Sequence, residues 1–265
     1  MMNTLFSRVY CLDSGFHTGE ENMEVDRCLM ASFLDGRFQK RFGQDSCLWR
    51  FYAWHPYAVT LGYNQDVSGI DSDKCRSAGI DVVRRPTGGR AVFHAEEFTY
   101  SFFTESAEHS SELYRMVHEV IKLALESLGI HAEFCRSTLA RPQGGRGSSE
   151  TVSCFTASAR YELQVEGRKL VGSAQRRTRN TLLQHGSLPL SSRHKELCTF
   201  IALSDGNAFE EIRNEMEQKT TSLEEIMGYI PEYSRLVELM QSAAGKLHGV
   251  EVVELQPDEL SELAR

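Results

Sequence analysis

Apolar and polar residues alternate through Leu48–Trp54 and through Ala58–Tyr63, with His55-Pro56 between, which predicts two strands joined by a turn. Upstream, Met23, Leu29, Met30 and Phe33 recur at helical spacing and predict a helix over residues 20–36 that stops near Gly36. Ile80–Arg84 and Arg90–Thr104 read as strands on either side of the turn Pro86-Thr87-Gly88-Gly89. The strongest helical stripe is Leu113, Met116, Val117, Val120, Ile121, Ala124 and Leu128. It predicts a helix over 111–128, with Ser110 as the cap and Gly129 as the stop.

Residues 141–149, Arg-Pro-Gln-Gly-Gly-Arg-Gly-Ser-Ser, hold too few apolar groups to pack and predict a mobile loop rather than a linker, because extended sequence resumes soon after. Tyr161–Val165, Lys169–Ser173 and Thr181–Leu190 read as strands, with Glu166-Gly167 as a turn. From Ser192 to Gly245 the pattern turns helical. Ile201, Leu203, Phe209, Ile212, Met216, Leu223, Ile226, Met227, Leu236, Val237, Leu239 and Met240 are its core candidates, and Val250–Leu255 reads as a last strand. Repeats and composition shifts are absent, so residues 1–265 read as one α+β domain whose segment 191–265 is a mostly helical extension.

The 265 residues are 41% hydrophobic and 25% charged, which excludes disorder and a disulfide-stapled miniprotein. Apolar runs fall short of the roughly 20 residues that span a bilayer, and the first residues lack a signal-like apolar stretch, so no membrane association and a cytoplasmic address are expected. The net charge of −8 argues against nucleic acid as a partner. Locally, however, Arg84, Arg85 and Arg90 crowd one segment and Arg176, Arg177 and Arg179 another, a basic face suited to an acidic protein partner.

Three segments hold residues that suit chemistry. In Arg84-Arg85-Pro86-Thr87-Gly88-Gly89-Arg90-Ala91-Val92-Phe93-His94 the glycines let a backbone approach a ligand and the arginines offer planar donors, although a tight hairpin with solvated arginines needs the same residues. Gly172, Ser173 and Ala174 leave room along a strand for an elongated ligand, and Lys169 and His185 stand close by in sequence. The seven cysteines (11, 28, 47, 75, 135, 154 and 198) form no C-x-x-C pair and fit neither a disulfide framework nor a zinc site. Cys154 stands out among them. It follows the polar loop and precedes the hairpin that returns Lys169, a cation able to lower a thiol pKa if the two meet.

Arg84–His94 with Tyr100-Ser101, Lys169-Leu170-Val171-Gly172-Ser173-Ala174-Gln175 and Leu183-Gln184-His185-Gly186 together resemble the signature segments of the biotin/lipoate protein ligase and octanoyltransferase superfamily, in order and spacing from about residue 6 to 255. Cys154-Phe155, Tyr161-Glu162-Leu163 and Glu166-Gly167-Arg168-Lys169 resemble its cysteine-dependent octanoyltransferase branch. Asn22-Met23-Glu24-Val25-Asp26-Arg27 departs from the family pattern, which usually has Ala at the third place and Glu at the sixth.

The resemblance implies an α/β ligase-like module with a mixed, largely antiparallel sheet flanked by helices. It implies Cys154 as acyl-thioester nucleophile and Lys169 as the neighbour that lowers its pKa. Arg85, Thr87, Gly88, Gly89, His94, Gly172, Ser173, Ala174 and His185 would line the acyl tunnel and the acceptor entrance. The implied reaction moves an octanoyl group from octanoyl-acyl carrier protein to a lysine of the glycine cleavage H protein or a lipoyl domain, without metal or other cofactor. Two alternatives stand beside it. One is an ATP-dependent lipoate ligase forming a lipoyl-adenylate, whose usual Asn-Asp is replaced here by Tyr161-Glu162-Leu163. The other is a carrier-binding module without activity.

Overall fold

The computed structural model describes residues 5–135, 161–203 and 206–261. In chain order the elements are β1 (Arg8–His17), α1 (Gly19–Leu34), α2 (Arg37–Phe42), β2 (Ser46–Trp54), β3 (Ala58–Leu61), α3 (Ser72–Ser77), β4 (Asp81–Arg84), β5 (Val92–His94), β6 (Glu97–Glu105) and α4 (Ser110–Glu126). There follow β7 (Glu133–Phe134), β8 (Leu163–Val165), β9 (Arg168–Lys169), β10 (Gly172–Thr178), β11 (Thr181–Pro189), α5 (Leu197–Phe200), α6 (Gly206–Lys219), α7 (Leu223–Met227), α8 (Tyr233–His248), β12 (Val252–Leu255) and α9 (Pro257–Ser261). The expected mobile loop at 141–149 and Cys154 lie outside the described residues.

The main sheet has six strands in the order β10-β11-β6-β2-β1-β12. The pairings β10–β11, β11–β6 and β6–β2 are antiparallel, and β2–β1 and β1–β12 parallel, so the sheet is mixed and largely antiparallel. Pattern reading misses β1, and the reason is physical. Val9–Leu12 is buried without interruption because the strand is central and parallel to both neighbours, which replaces alternation with a continuous apolar run. Helices cover both faces. One core packs Trp49, Phe51, Phe98, Tyr100 and Phe102 against α4 and α8, and a second packs Tyr10, Leu48, Phe103 and Leu183 against α1 and α2. Phe102 and Phe103 thus mark opposite faces of β6, as the period of a strand requires.

A smaller sheet, ordered β4-β3-β5, packs against Leu197, Phe200, Ile201 and Met216 from the helical region. It corrects two expectations. The predicted strand 90–104 is two strands in two sheets, broken at Ala95-Glu96. The turn at 86–89 is also not a hairpin, because β4 and β5 lie on either side of β3 instead of pairing with each other, so the segment crosses over β3. The strand predicted over Lys169–Ser173 likewise divides: Arg168–Lys169 pairs with β8, whereas Gly172 begins the run paired with β11. Helix α4 is capped by the His109 side chain, which accepts from the Ser111 N–H, and Ser110 is its first helical residue.

Candidate active site

Two buried polar networks meet along β11, one on each face. On the α1 face, Ser101 and Ala174 flank His185 in register across the sheet. His185 Nε2 lies 2.5 Å from Thr87 Oγ1 and its Nδ1 3.5 Å from Asp26 Oδ2. Asp26 pairs with Arg50 at 2.8 Å, both fully buried, and also accepts from Ser101 Oγ at 2.7 Å. Arg50 completes its fork on the side-chain and backbone oxygens of Asn22, one helical turn before Asp26. Burial alone pushes the Asp26 carboxyl up, but His185, Arg50 and Ser101 outweigh it and hold the carboxyl below the usual range. Burial likewise pushes His185 down against the pull of Asp26. A neutral His185 places its Nδ1–H toward the carboxylate and accepts the Thr87 hydroxyl proton at Nε2.

The crossing segment is anchored in the same region. Arg85 is buried and donates to the carbonyl oxygens of Thr60, Gly88 and Arg90, so it shapes the turn rather than facing solvent. Its Nη1 also reaches Thr60 Oγ1, which stands 2.8 Å from His94 Nε2. His94 Nδ1 meets Glu97 Oε1 at 2.6 Å, and the ring stacks on Trp54 with centroids 4.2 Å apart. Burial pushes the Glu97 carboxyl up, but His94, Ser187 and Thr99 outweigh it and hold it below its ordinary value. Gly88 and Gly89 are exposed, and Gly89 has φ 103°. The tight approach falls on Gly62, where a Cβ would sit 1.8 Å from the Gly89 carbonyl oxygen.

The second network lies on the α4 face. Lys169 Nζ contacts Glu162 Oε1 at 2.8 Å, with both side chains almost fully buried. Glu166 and Gly167, both at positive φ, make the two-residue turn that returns Lys169 opposite Gln164. The Lys169 carbonyl accepts from the Thr221 N–H, which ties β9 to the segment before α7. A buried ammonium stays charged only with a partner, and Glu162 supplies one of three possible acceptors. Beside this pair, Ser173 Oγ joins Tyr100 OH at 2.7 Å and His118 Nε2 at 2.8 Å. Gly186 must be bare, because a Cβ there would sit 2.4 Å from Ser173 Oγ and 2.8 Å from the Gly172 carbonyl oxygen.

The structure therefore brings Thr87 to His185, and Arg85 to His94 through Thr60. It also sets Gly172, Ser173 and Ala174 opposite Ser187, Gly186 and His185, a half-buried wall between the two networks. Lys169 lies with the His118–Ser173 network. Sequence reasoning missed Asp26, Arg50, Glu97 and His118 as site residues. The legible signal was polar residues on apolar helical faces: Asn22 and Asp26 on α1, and His118 beside the stripe of α4.

The two basic segments are only partly joined. Arg176 Nη1 donates to the Pro86 carbonyl, and its guanidinium covers the Tyr63 ring at 4.9 Å. Arg177, the next residue on β10, turns the other way to the carbonyls of Ser106 and Glu108. Among the described residues, the hydrogen bonds of Arg84, Arg176 and Arg177 run chiefly to backbone carbonyls. Among the described residues no three His, Cys, Asp or Glu side chains are grouped to hold a metal ion, and no helix is long and apolar enough to cross a membrane.

Comparison with known proteins agrees with this architecture. The octanoyltransferase LipM of Lysinibacillus sphaericus is 34% identical over 224 residues, 82% of this chain and 79% of that protein. LipM of Symbiobacterium thermophilum is 35% identical over 221 residues, 82% and 78% of the two chains. Among solved structures, a bi-partite lipoate protein ligase from Thermoplasma acidophilum has the same fold, with a TM-score of 0.74 at 18% identity over 98% of this chain and 91% of that one. Residues 18–244 match the lipoyl protein ligase A/B catalytic domain, and the protein belongs to that family.

Proposed function

We propose that the protein is an octanoyltransferase that carries the octanoyl group as a thioester on Cys154, taking it from an acyl carrier protein and giving it to a lysine of a lipoyl-accepting protein such as the glycine cleavage H protein. The observation that carries this reading is the Lys169–Glu162 pair, a buried ammonium held at 2.8 Å from its counter-ion beside the small-residue wall of β10. The relatives named octanoyltransferase agree with it.

The steps balance without an energy source. The Cys154 thiolate adds to the donor carbonyl, the carrier thiolate leaves, and one thioester has replaced another. The ε-amine of the acceptor lysine then adds to the enzyme thioester, Cys154 leaves as thiolate, and the amine proton passes to solvent or a nearby base. The product amide is more stable than the thioester, so the second step runs downhill. A protonated Lys169 stabilises the thiolate and the oxyanion formed in each addition. Gly172 and Ala174, which share the α1 face of β10, supply a narrow wall for an unbranched chain, and Arg84 with Arg176 supplies the positive rim on which an acidic carrier docks.

The test is transfer from octanoyl-carrier protein to apo H protein in the absence of ATP, followed by the mass of the acceptor. Octanoylated acceptor without ATP supports the reading. Acylation that requires free acid and ATP makes the protein a ligase instead.

A further inference from the structure

His118 is fully buried on α4 and joins two segments of the site. Its Nδ1 lies 2.5 Å from the Tyr161 carbonyl oxygen, and Nε2 lies 2.8 Å from Ser173 Oγ. A carbonyl only accepts, so Nδ1 carries the proton. Burial pushes the imidazole down to about 4, so at neutral pH Nε2 is bare and the Ser173 hydroxyl must donate to it. The remaining bonds then have one direction each: Tyr100 OH donates to Ser173 Oγ, and Gln184 Nε2 donates to Tyr100.

The Tyr161 end of this chain carries a second, independent observation. Tyr161 has φ 73°, a left-handed backbone that a residue with a branched-off aromatic side chain adopts only under constraint. The next residue is Glu162, the counter-ion of Lys169, and its own carbonyl is fixed by the Cys135 N–H at 2.7 Å. The Tyr161 ring meets Phe134 edge-on at 6.0 Å.

We propose that His118 is a positioning residue for acyl transfer: by donating Nδ1–H to the Tyr161 carbonyl it holds the left-handed turn before Glu162, and so sets Glu162 against Lys169. The inference rests on the reading of Lys169 as the cation that serves the nucleophile. Glycine adopts φ 73° without strain, so Tyr161→Gly makes the His118 clamp dispensable. Asparagine keeps a donor at the place of Nδ1, whereas glutamine keeps only a polar group at the place of Nε2.

The experiment measures single-turnover acyl-enzyme formation from octanoyl-carrier protein in full-length variants. His118→Gln is expected to slow acylation at least tenfold with an unchanged KM for the carrier, His118→Asn to stay within threefold of wild type, and Tyr161→Gly to restore most of the rate to His118→Gln. Wild-type acylation in His118→Gln, or a folded His118→Gln, Tyr161→Gly double variant as slow as His118→Gln alone, overturns the inference. Should His118→Gln not fold, His118→Asn decides: a tenfold loss in that folded variant is also fatal. Lys169→Met, Glu162→Gln measured in parallel separates the two levels. Full activity there overturns the reading of Lys169 itself, whereas an inactive pair with an active His118→Gln overturns only the role of His118.

Discussion

Lys169 and Glu162 form a buried ion pair at 2.8 Å across the β8–β9 hairpin. Removing one member leaves the other charge buried and unpaired, which costs about 3–5 kcal/mol and mixes folding with chemistry. The clean change removes both. Lys169→Met, Glu162→Gln is expected to keep the unfolding free energy within about 2 kcal/mol of wild type while slowing acyl-enzyme formation by roughly 100-fold, the scale of a lost proton donor or charge at a reacting centre. Urea denaturation and single-turnover acylation check the two halves, and undiminished acylation would remove Lys169 from the mechanism.

Asp26 and Arg50 make the corresponding pair on the other face. Asp26→Asn leaves the Arg50 guanidinium without its counter-ion in a fully buried place and is expected to destabilise the fold by about 3–5 kcal/mol. Because Asp26 also faces His185, the variant is expected to loosen the Thr87–His185 contact. Denaturant midpoints of Asp26→Asn measure the first effect. A loss below about 1 kcal/mol would show that Asn22 alone satisfies Arg50.

Gly62→Ala tests the crossing segment. The added Cβ would lie 1.8 Å from the Gly89 carbonyl oxygen and 2.8 Å from the Gly89 carbonyl carbon, so backbone must move. A displacement near 1 Å at a positioned site costs on the order of 100-fold in rate. The expected result is a protein with native circular dichroism and transfer reduced to that degree. Wild-type kinetics would mean that the segment does not position substrate.

Burial pushes His118, His194 and His248 each down to about 4. The unfolded chain protonates them near 6.5, so between about 4 and 6.5 it binds more protons than the folded state, and stability rises with pH across that window. Each fully buried histidine contributes up to about 1.4 kcal/mol per pH unit there. His248 packs edge-on against Phe6, with ring centroids 5.0 Å apart. The urea midpoint is expected to fall steeply from pH 6.5 to pH 4.5 and to level off above pH 7. His118→Gln should flatten part of the slope, and a flat midpoint from pH 7 to pH 5 would contradict the neutral buried state.

Much of the architecture was readable from periodicity because the elements concerned have one wet face. The stripe from Leu113 to Ala124 predicted α4 to within two residues, and the helical stretch after Ser192 appeared with Leu236, Val237, Leu239 and Met240 in the core. Elements buried on both sides escaped. β1 shows a continuous buried run, and the break at Ala95-Glu96 is a change of sheet that apolar pattern does not mark. At the site, the glycine-rich and lysine segments stood out by composition. Their partners, Glu162 on Lys169 and Asp26 on His185, are set by register and by the approach of α1, which one-dimensional spacing does not carry.

The central claim is a covalent intermediate on Cys154, and intact mass spectrometry after mixing with octanoyl-carrier protein, without ATP, tests it most directly. The predicted result is a mass increase of one octanoyl group that hydroxylamine removes, that maps to Cys154, and that disappears in Cys154→Ser. An octanoyl adduct that persists in Cys154→Ser, or product formed by that variant at the wild-type rate, would contradict the account.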